Sequence, residues 1–427
     1  MNAEKLKKQL NAPDVQSRLE AIEQLREMID RGEIPRPVTT TDTNNHVHTI
    51  YSFSPYSPSA AVFWAYMSGL CTVGIIDHDS IGGAREFIRA GELLGITTTI
   101  GCEVRVSFAK TSLCGKTINN PDEDTVAYIA LHGLPHNKID ELELMLSQIR
   151  IKRNERNKKQ VAALNEILKP YELQIDFEKE VVPISMAHEG GSITERHILF
   201  ALTKKIIAKY GRGQKLIDFL ENDMGIGIGK KREMLLDTDF FAYEYDVLNI
   251  LKTELVPKFF IAHGKDSLDV AYVVDYARKL GVIPTYCYLG DVGQSTTGDK
   301  KEQKFEDGFL DELFDVVKDL GFEAFAYMPS RNTMEQLLRI IKKCKEYELM
   351  EISGEDINQP RQSFICKRQR ERVFEHLMDS TWALVGHENA ATQCAQKSIY
   401  SDKTKKAYPH MKDRIEHYKE IGLTYKK

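Results

Sequence analysis

The chain contains no run of about 18 apolar residues, so nothing in it reads as a membrane-spanning helix. Its opening stretch, MNAEKLKKQLNAPDVQSRL, lacks the apolar core of a signal peptide. The seven cysteines (Cys71, Cys102, Cys114, Cys287, Cys344, Cys366 and Cys394) are scattered without a single CxxC, which argues against a disulfide framework or a Cys-type zinc site. There is no large charge of one sign: 58 basic and 63 acidic residues leave a net charge of −5 over 427 residues. Such a chain is not built to coat nucleic acid or an anionic membrane through its global field. No repeat, low-complexity tract or Gly-x-Ser-x-Gly nucleophile turn is present. The glycine-rich stretch 225–231 lacks the spacing and the hydroxyl of a phosphate-binding loop and reads as a flexible turn. What remains, 42% apolar and 28% charged, fits a soluble cytoplasmic globular protein with a sizeable core.

Periodicity then divides the chain. Residues 1–35 repeat apolar side chains at helical spacing, interrupted near Pro13 and ended by Pro35 and Pro37. From residue 44 the rhythm becomes strand, helix, strand: strands over 45–50, 71–76 and 96–100, with helices over 59–69 and 82–94. A strand follows over 126–131. Long helical patterns occupy 139–168, 193–208, 214–222 and about 243–256, too much for one crossover. The alternation resumes with helices over 268–280, 307–320 and 333–346 and strands over 282–288, 322–327 and 349–353. The expected organisation is an N-terminal helical extension (1–39), a first barrel part (40–137), a helical insertion or cap (138–256), a second barrel part (257–365) and a C-terminal helical extension (366–427).

Ionisable residues gather where the apolar strands end, the usual location of functional groups in α/β sheets and barrels. His46 and His48 are spaced i, i+2, which places both imidazoles on one face of a strand. Asp77-His78-Asp79 follows the run CTVGII, Glu103 follows TTTIG, and Glu355-Asp356-Ile357-Asn358 follows a fourth strand. Each group alone reads as a loop or a helix cap. Together they are the mixed imidazole and carboxylate set of a catalytic metal site.

The run from Asn44 to Glu103 resembles the opening of the PHP (polymerase and histidinol phosphatase) domain of metal-dependent phosphoesterases. The shared motifs are the His46-Val47-His48 strand, the Asp77-His78 turn, Gly101-Cys102-Glu103 and a final turn at Glu355–Asn358. The resemblance covers about 40–135 and 257–360. It implies a distorted α/β (βα)7 TIM-like barrel with an inserted helical subdomain and helical extensions at both ends. It also implies metal ligation by His46, His48, His78, Glu103, Asp356 and the substituted Asn358. The family pattern is broken at Phe53 (an aspartate there), at Tyr128 and Tyr288 (histidines there) and at Asn358 (a histidine there), with His132 four residues beyond Tyr128.

The resemblance further implies one or two divalent ions (Mn, Zn or Fe) and hydrolysis of a phosphate ester, with Asp77 orienting a ligand. The substrate expected is a small phosphorylated compound, a nucleotide or a short oligonucleotide; no membrane or protein partner is indicated. Ser192-Ile-Thr-Glu-Arg196-His197 is similar to a phosphate-binding segment in the helical insertions of some relatives. Arg196 would then fork onto phosphate and His197 would act as a proton donor, against the alternative of a plain helix start capped by Ser192 or Thr194. Arg331, after the 322–327 strand, is a candidate phosphate contact, and Tyr288 a hydroxyl donor into the site. The basic run Arg150, Lys152, Arg153, Arg156, Lys158 and Lys159 reads as a solvated helix face. Two other readings stay open: a degenerate barrel that binds metal or nucleotide without turnover, and a metal-dependent hydrolase of a non-phosphate bond.

Overall fold

A computed structural model describes residues 2–263, 267–292 and 303–426. The strands are β1 (Thr43–Val47), β2 (Thr72–His78), β3 (Thr97–Ser107), β4 (Val126–His132), β5 (Leu268–Asp269), β6 (Ile283–Cys287), β7 (Ala324–Tyr327) and β8 (Met350–Ser353). They form one sheet in the order β1-β2-β3-β4-β6-β7-β8, with β5 against the end of β3. The sheet nearly closes into a barrel. Past β8 the His48 amide donates to the Ile357 carbonyl at 2.9 Å, and the Ile357 amide donates to the His46 carbonyl at 3.1 Å. That closure sets Asp356 beside the end of β1.

Helices α1 (Ala3–Gln9) and α2 (Val15–Asp30) precede the barrel; α3 (Pro58–Met67) and α4 (Ala84–Leu94) follow β1 and β2. The cap consists of α5 (Ile139–Leu168), α6 (Glu195–Tyr210), α7 (Gln214–Asp218), α8 (Arg232–Leu236) and α9 (Tyr243–Phe259). Outside the later strands lie α10 (Val270–Leu280), α11 (Leu310–Asp319) and α12 (Met334–Glu346), and the chain ends with α13 (Glu375–Gln393), α14 (Asp402–Ala407) and α15 (Met411–Leu423). Local sequence sets several of these ends. Ser57 caps α3 ahead of Pro58, and Thr333 and Gln336 form a capping box on α12. The tail helices α13 and α15 touch backbone to backbone: a side chain at Gly386 or Gly422 would strike the carbonyl of Tyr418 or Trp382.

Burial divides into a barrel core, a cap core and a third cluster in which β6, β7 and β8 pack against α13 and the tail. α5 spans both: Leu142, Met145 and Leu146 of its first half lie in the barrel core, and Val161, Leu164 and Leu168 of its second half in the cap core. Among the described residues no helix is long and apolar enough to cross a membrane.

Three sequence expectations change. β3 does not stop at Ile100 but runs on through Glu103 to Ser107, because Cys102, Val104 and Val106 continue the buried alternation. β4 is antiparallel to both β3 and β6, since a loop without a crossover helix joins it to β3. The basic run of α5 is not a solvated face: Arg150, Arg153 and Arg156 are buried, and Lys152, Lys158 and Lys159 are exposed.

Candidate metal centre

β1, β2 and β3 are parallel, and their register decides which side chains meet. His78 pairs with Glu103 and Asp77 with Cys102. His78 Nδ1 lies 2.8 Å from Glu103 Oε2, and the His78 ring is 4.6 Å from that of His48, itself 5.1 Å from that of His46. The barrel closure places Asp356 Oδ1 3.2 Å from His48 Nε2. Two groups result, His46–His48–Asp356 and His48–His78–Glu103, each with its ligand atoms within 4.8 Å of one another and with His48 common to both. Each group offers two imidazoles and one carboxylate, which matches the donor preferences of Zn, Mn or Fe.

Asp77 stands behind this cluster. Its carboxylate accepts from the Thr49 amide at 2.7 Å, the Thr49 hydroxyl at 2.6 Å and the Ser52 hydroxyl at 2.5 Å. Ser52 Oγ, having given its proton to Asp77, is left to accept from His48 Nδ1 at 3.2 Å. This holds the proton on Nδ1, so that Nε2, which here faces Asp356, is the nitrogen whose lone pair a metal ion would take in place of its proton. Asp77 therefore orients His48 through Ser52 and does not itself reach the cavity.

The electrostatics follow from the same contacts. Burial alone would raise the Glu103 carboxyl, but His78, with His46 and His48, holds it down at about 2. Burial likewise opposes ionisation of Asp356, and His48 overrides it and keeps the carboxyl well below its usual range. Burial lowers His46, with Glu103 acting against it, whereas the Asp356 contact outweighs burial at His48 and raises it.

A cavity of about 390 Å³ opens over the cluster, lined by His46, His78, Glu103 and Asp356 on the barrel side. Three cations face them: Arg196 from the start of α6, Arg331 after β7, and Lys252 on α9. Arg196 sits with its guanidinium carbon 5.3 Å from the Phe53 ring centre and its Nε without a partner. Phe53, where the family pattern carries an aspartate, holds a left-handed backbone (φ 85°) and packs against His197, Phe200 and Tyr245, tying the β1–α3 loop to the cap. Arg331 gives its Nε proton to the Leu289 carbonyl at 3.1 Å, which aligns the guanidinium at the cavity wall.

Three candidate residues take other places than expected. His197 is buried and does not line the cavity; its Nδ1 accepts from the Thr194 amide at 3.0 Å in a capping box on α6, so it serves the helix start, though buried where a plain helix start would leave it in solvent. Tyr288 lines the wall with its ring, but its hydroxyl is taken by Asp307, which Gln336 also holds at 2.6 Å. Asn358 donates to Asp356 Oδ1 at 2.6 Å, so it positions that carboxylate and belongs to neither ligand group.

Sequence reasoning missed Lys252, which lies on a helix with no motif around it, and the roles of Ser52 and Thr49. His132 was placed on the strand face of Tyr128, as the histidine to supply a missing metal contact if the expected ligands fell short. It faces the cavity, is buried, and has an unpartnered Nε2, with burial pushing its pKa down to about 3.

No protein-family model matches the chain, and no curated protein matches its sequence. Solved structures do resemble it. One, provisionally described as a metal-dependent phosphoesterase from Bifidobacterium adolescentis, is 18% identical, with a TM-score of 0.52 over 79% of this chain and 94% of that one. A second, described as an amidohydrolase from Chromobacterium violaceum with bound sulfate and no metal, is 15% identical, with a TM-score of 0.49 over 76% of this chain and 90% of that one. At these identities the likeness is one of fold.

Proposed function

We propose that the protein is a metal-dependent hydrolase of phosphate esters, built on a PHP-type barrel. The observation that carries this reading is the pairing of two ligand groups that share His48 with a facing wall of three cations. The fold shared with a protein described as a metal-dependent phosphoesterase supports it. A wall of Arg196, Arg331 and Lys252 suits a substrate with concentrated negative charge better than a neutral amide.

In this reading His46, His48, His78, Glu103 and Asp356 hold one or two divalent ions, which supply Lewis acidity toward water and phosphoryl oxygen. The chain's own side chains do the rest. Asp77 and Ser52 keep the His48 Nε2 lone pair turned inward, and Asn358 fixes Asp356. Arg196 and Arg331 take phosphoryl oxygens on the side opposite the ligands, and Lys252 adds charge at the cavity mouth. The cap covers the site and limits water around these charged groups, which strengthens each contact.

The test is reconstitution of chelated protein with Mn, Zn or Fe, assayed on phosphomonoesters, phosphodiesters and amides. Turnover of a phosphate ester that needs added metal and is lost in His48→Ala is the expected result. Phosphate-ester turnover that survives exhaustive chelation, or hydrolysis of amides alone, overturns the proposal.

A further inference from the structure

The arginines of the cap–barrel junction form a second polar centre, away from the ligand groups. Arg153 and Arg156 of α5 are 3% and 4% exposed; Arg153 faces Asp79 at the exit of β2 and Glu195 at the start of α6, and Arg156 faces Glu195. Arg153 is paired with Asp79 Oδ2, and its Nη2 is 3.3 Å from Glu195 Oε2. Arg105 of β3 reaches the same Glu195 oxygen at 3.5 Å and is hydrogen-bonded to His263, whose Nδ1 is taken by Glu123. Arg156 Nη2 is 3.7 Å from Glu195 Oε1, too far for a hydrogen bond.

One carboxylate is thus divided among three guanidinium groups. The shortage shows in the atoms left over. Arg156 Nε and Nη2, Arg153 Nε and Arg105 Nε are buried with no hydrogen-bond partner, as is Asp79 Oδ1. The residues that carry them, Asp79, Arg105, Arg153 and Arg156, line a space of about 20 Å³ together with Lys152, His263 and Ser267. That space takes one or two water-sized atoms. Water would accept from the orphan donors and could donate to Asp79 Oδ1, but would bring no charge to the guanidinium groups. The ionised form of Arg156 is already disfavoured by burial and by Arg153, which push its pKa down to about 10.

We propose that this void is a binding site for a small monovalent inorganic anion of chloride size, held by Arg156 Nε and Nη2 together with Arg153 Nε. The anion fastens the cap to the barrel, because its donors come from the cap helix α5 while their other partners are Asp79 of the barrel and Glu195 of α6. Asp79 directly follows His78 and Glu195 directly precedes Arg196, so the fastening sits one residue from each side of the cavity. The site is independent of the hydrolytic reading and is tested without it.

The experiment titrates metal-free full-length protein with chloride at constant ionic strength, gluconate being replaced. The expected result is a saturable rise in Tm of about 2–5 °C. The rise is kept in Arg331→Ala, which alters the large cavity, and lost in Arg156→Met. No saturable rise in the wild type, or an equal rise in Arg156→Met, overturns the site. Should Arg156→Met not fold, crystals of the wild type soaked in bromide decide the matter: an anomalous peak beside Arg153 and Arg156 is expected, and its absence refutes the proposal.

Discussion

Removing one oxygen atom tests how the metal centre is organised. Ser52→Ala deletes the hydroxyl that links Asp77 to His48 and nothing larger. Asp77 keeps its two contacts from Thr49, at 2.7 and 2.6 Å, so the β1–α3 loop stays anchored and the stability loss is about 1.5–3 kcal/mol, one neutral-to-charged hydrogen bond. His48 fares worse. Its Nδ1 loses its acceptor, the ring is free to change tautomer or rotate, and the Nε2 lone pair common to both ligand groups is no longer fixed. Loss of such an outer contact weakens metal binding about 10- to 100-fold, or about 1.4–2.7 kcal/mol. Competition titration against a chromophoric chelator measures the affinity, and denaturant unfolding of the metal-free protein measures the stability. Thr49→Val is the control: it removes a hydrogen bond to the same buried carboxylate without touching His48, so stability falls and metal affinity holds. If Ser52→Ala binds metal within about twofold of wild type, the chain of contacts from Asp77 to His48 does not orient the ligand.

The barrel strands and the residues of the two candidate ligand groups were readable from sequence for a local reason. Apolar runs such as CTVGII declare themselves, and a His or Glu at the end of such a run has few explanations other than function. His46, His48, His78, Glu103 and Asp356 were all picked by that rule, and the fold brings them together. What failed depended on partners far away in the chain. Whether Arg196 or its neighbour His197 faces the cavity is set by which one completes the α6 capping box with Thr194. Tyr288 turned out to be held by Asp307, and Asn358 by the carboxylate beside it, contacts no spacing announces. Arg153 and Arg156 carry the i, i+3 spacing of a solvated stripe, yet they face inward because Asp79 and Glu195 lie there, 74 and 39 positions away at the nearest. The direction of β4 was missed because apolar alternation is the same in either sense.

The remaining predictions separate contact residues from structural ones. Arg331→Ala and Lys252→Ala should raise KM for a phosphate ester about 10- to 100-fold at unchanged metal content, as expected for one lost charge-assisted contact; an unchanged KM in both removes the cationic wall from the mechanism. His197→Gln should keep kcat within about threefold while costing about 0.5–2 kcal/mol of stability through the α6 cap, and a hundredfold fall in kcat in a stably folded variant would restore His197 as a proton donor. Tyr288→Phe should lower stability by about 1–3 kcal/mol, since Asp307 loses a buried partner, with kcat unaltered in a steady-state assay. The last concerns acid. His387 is buried, with Nε2 donating to the Gly133 carbonyl at 3.1 Å and Nδ1 accepting from the Ile399 amide at 3.2 Å. Both nitrogens are satisfied only in the neutral ring, and burial pushes its pKa down to about 4, against about 6.5 in an unfolded chain. The unfolded state therefore binds the proton first: the stability from this group is whole above pH 6.5 and drains away as pH falls toward 4, by about 3 kcal/mol over the window. His132, His197 and His263 are lowered as well and add losses of the same sign. His387→Gln can supply a donor and an acceptor but does not titrate. Unfolding curves measured from pH 7.5 to 4.5 should show the glutamine variant gaining on the wild type as acid is added, by about 2 kcal/mol near pH 5; parallel curves would mean that His387 is not held neutral.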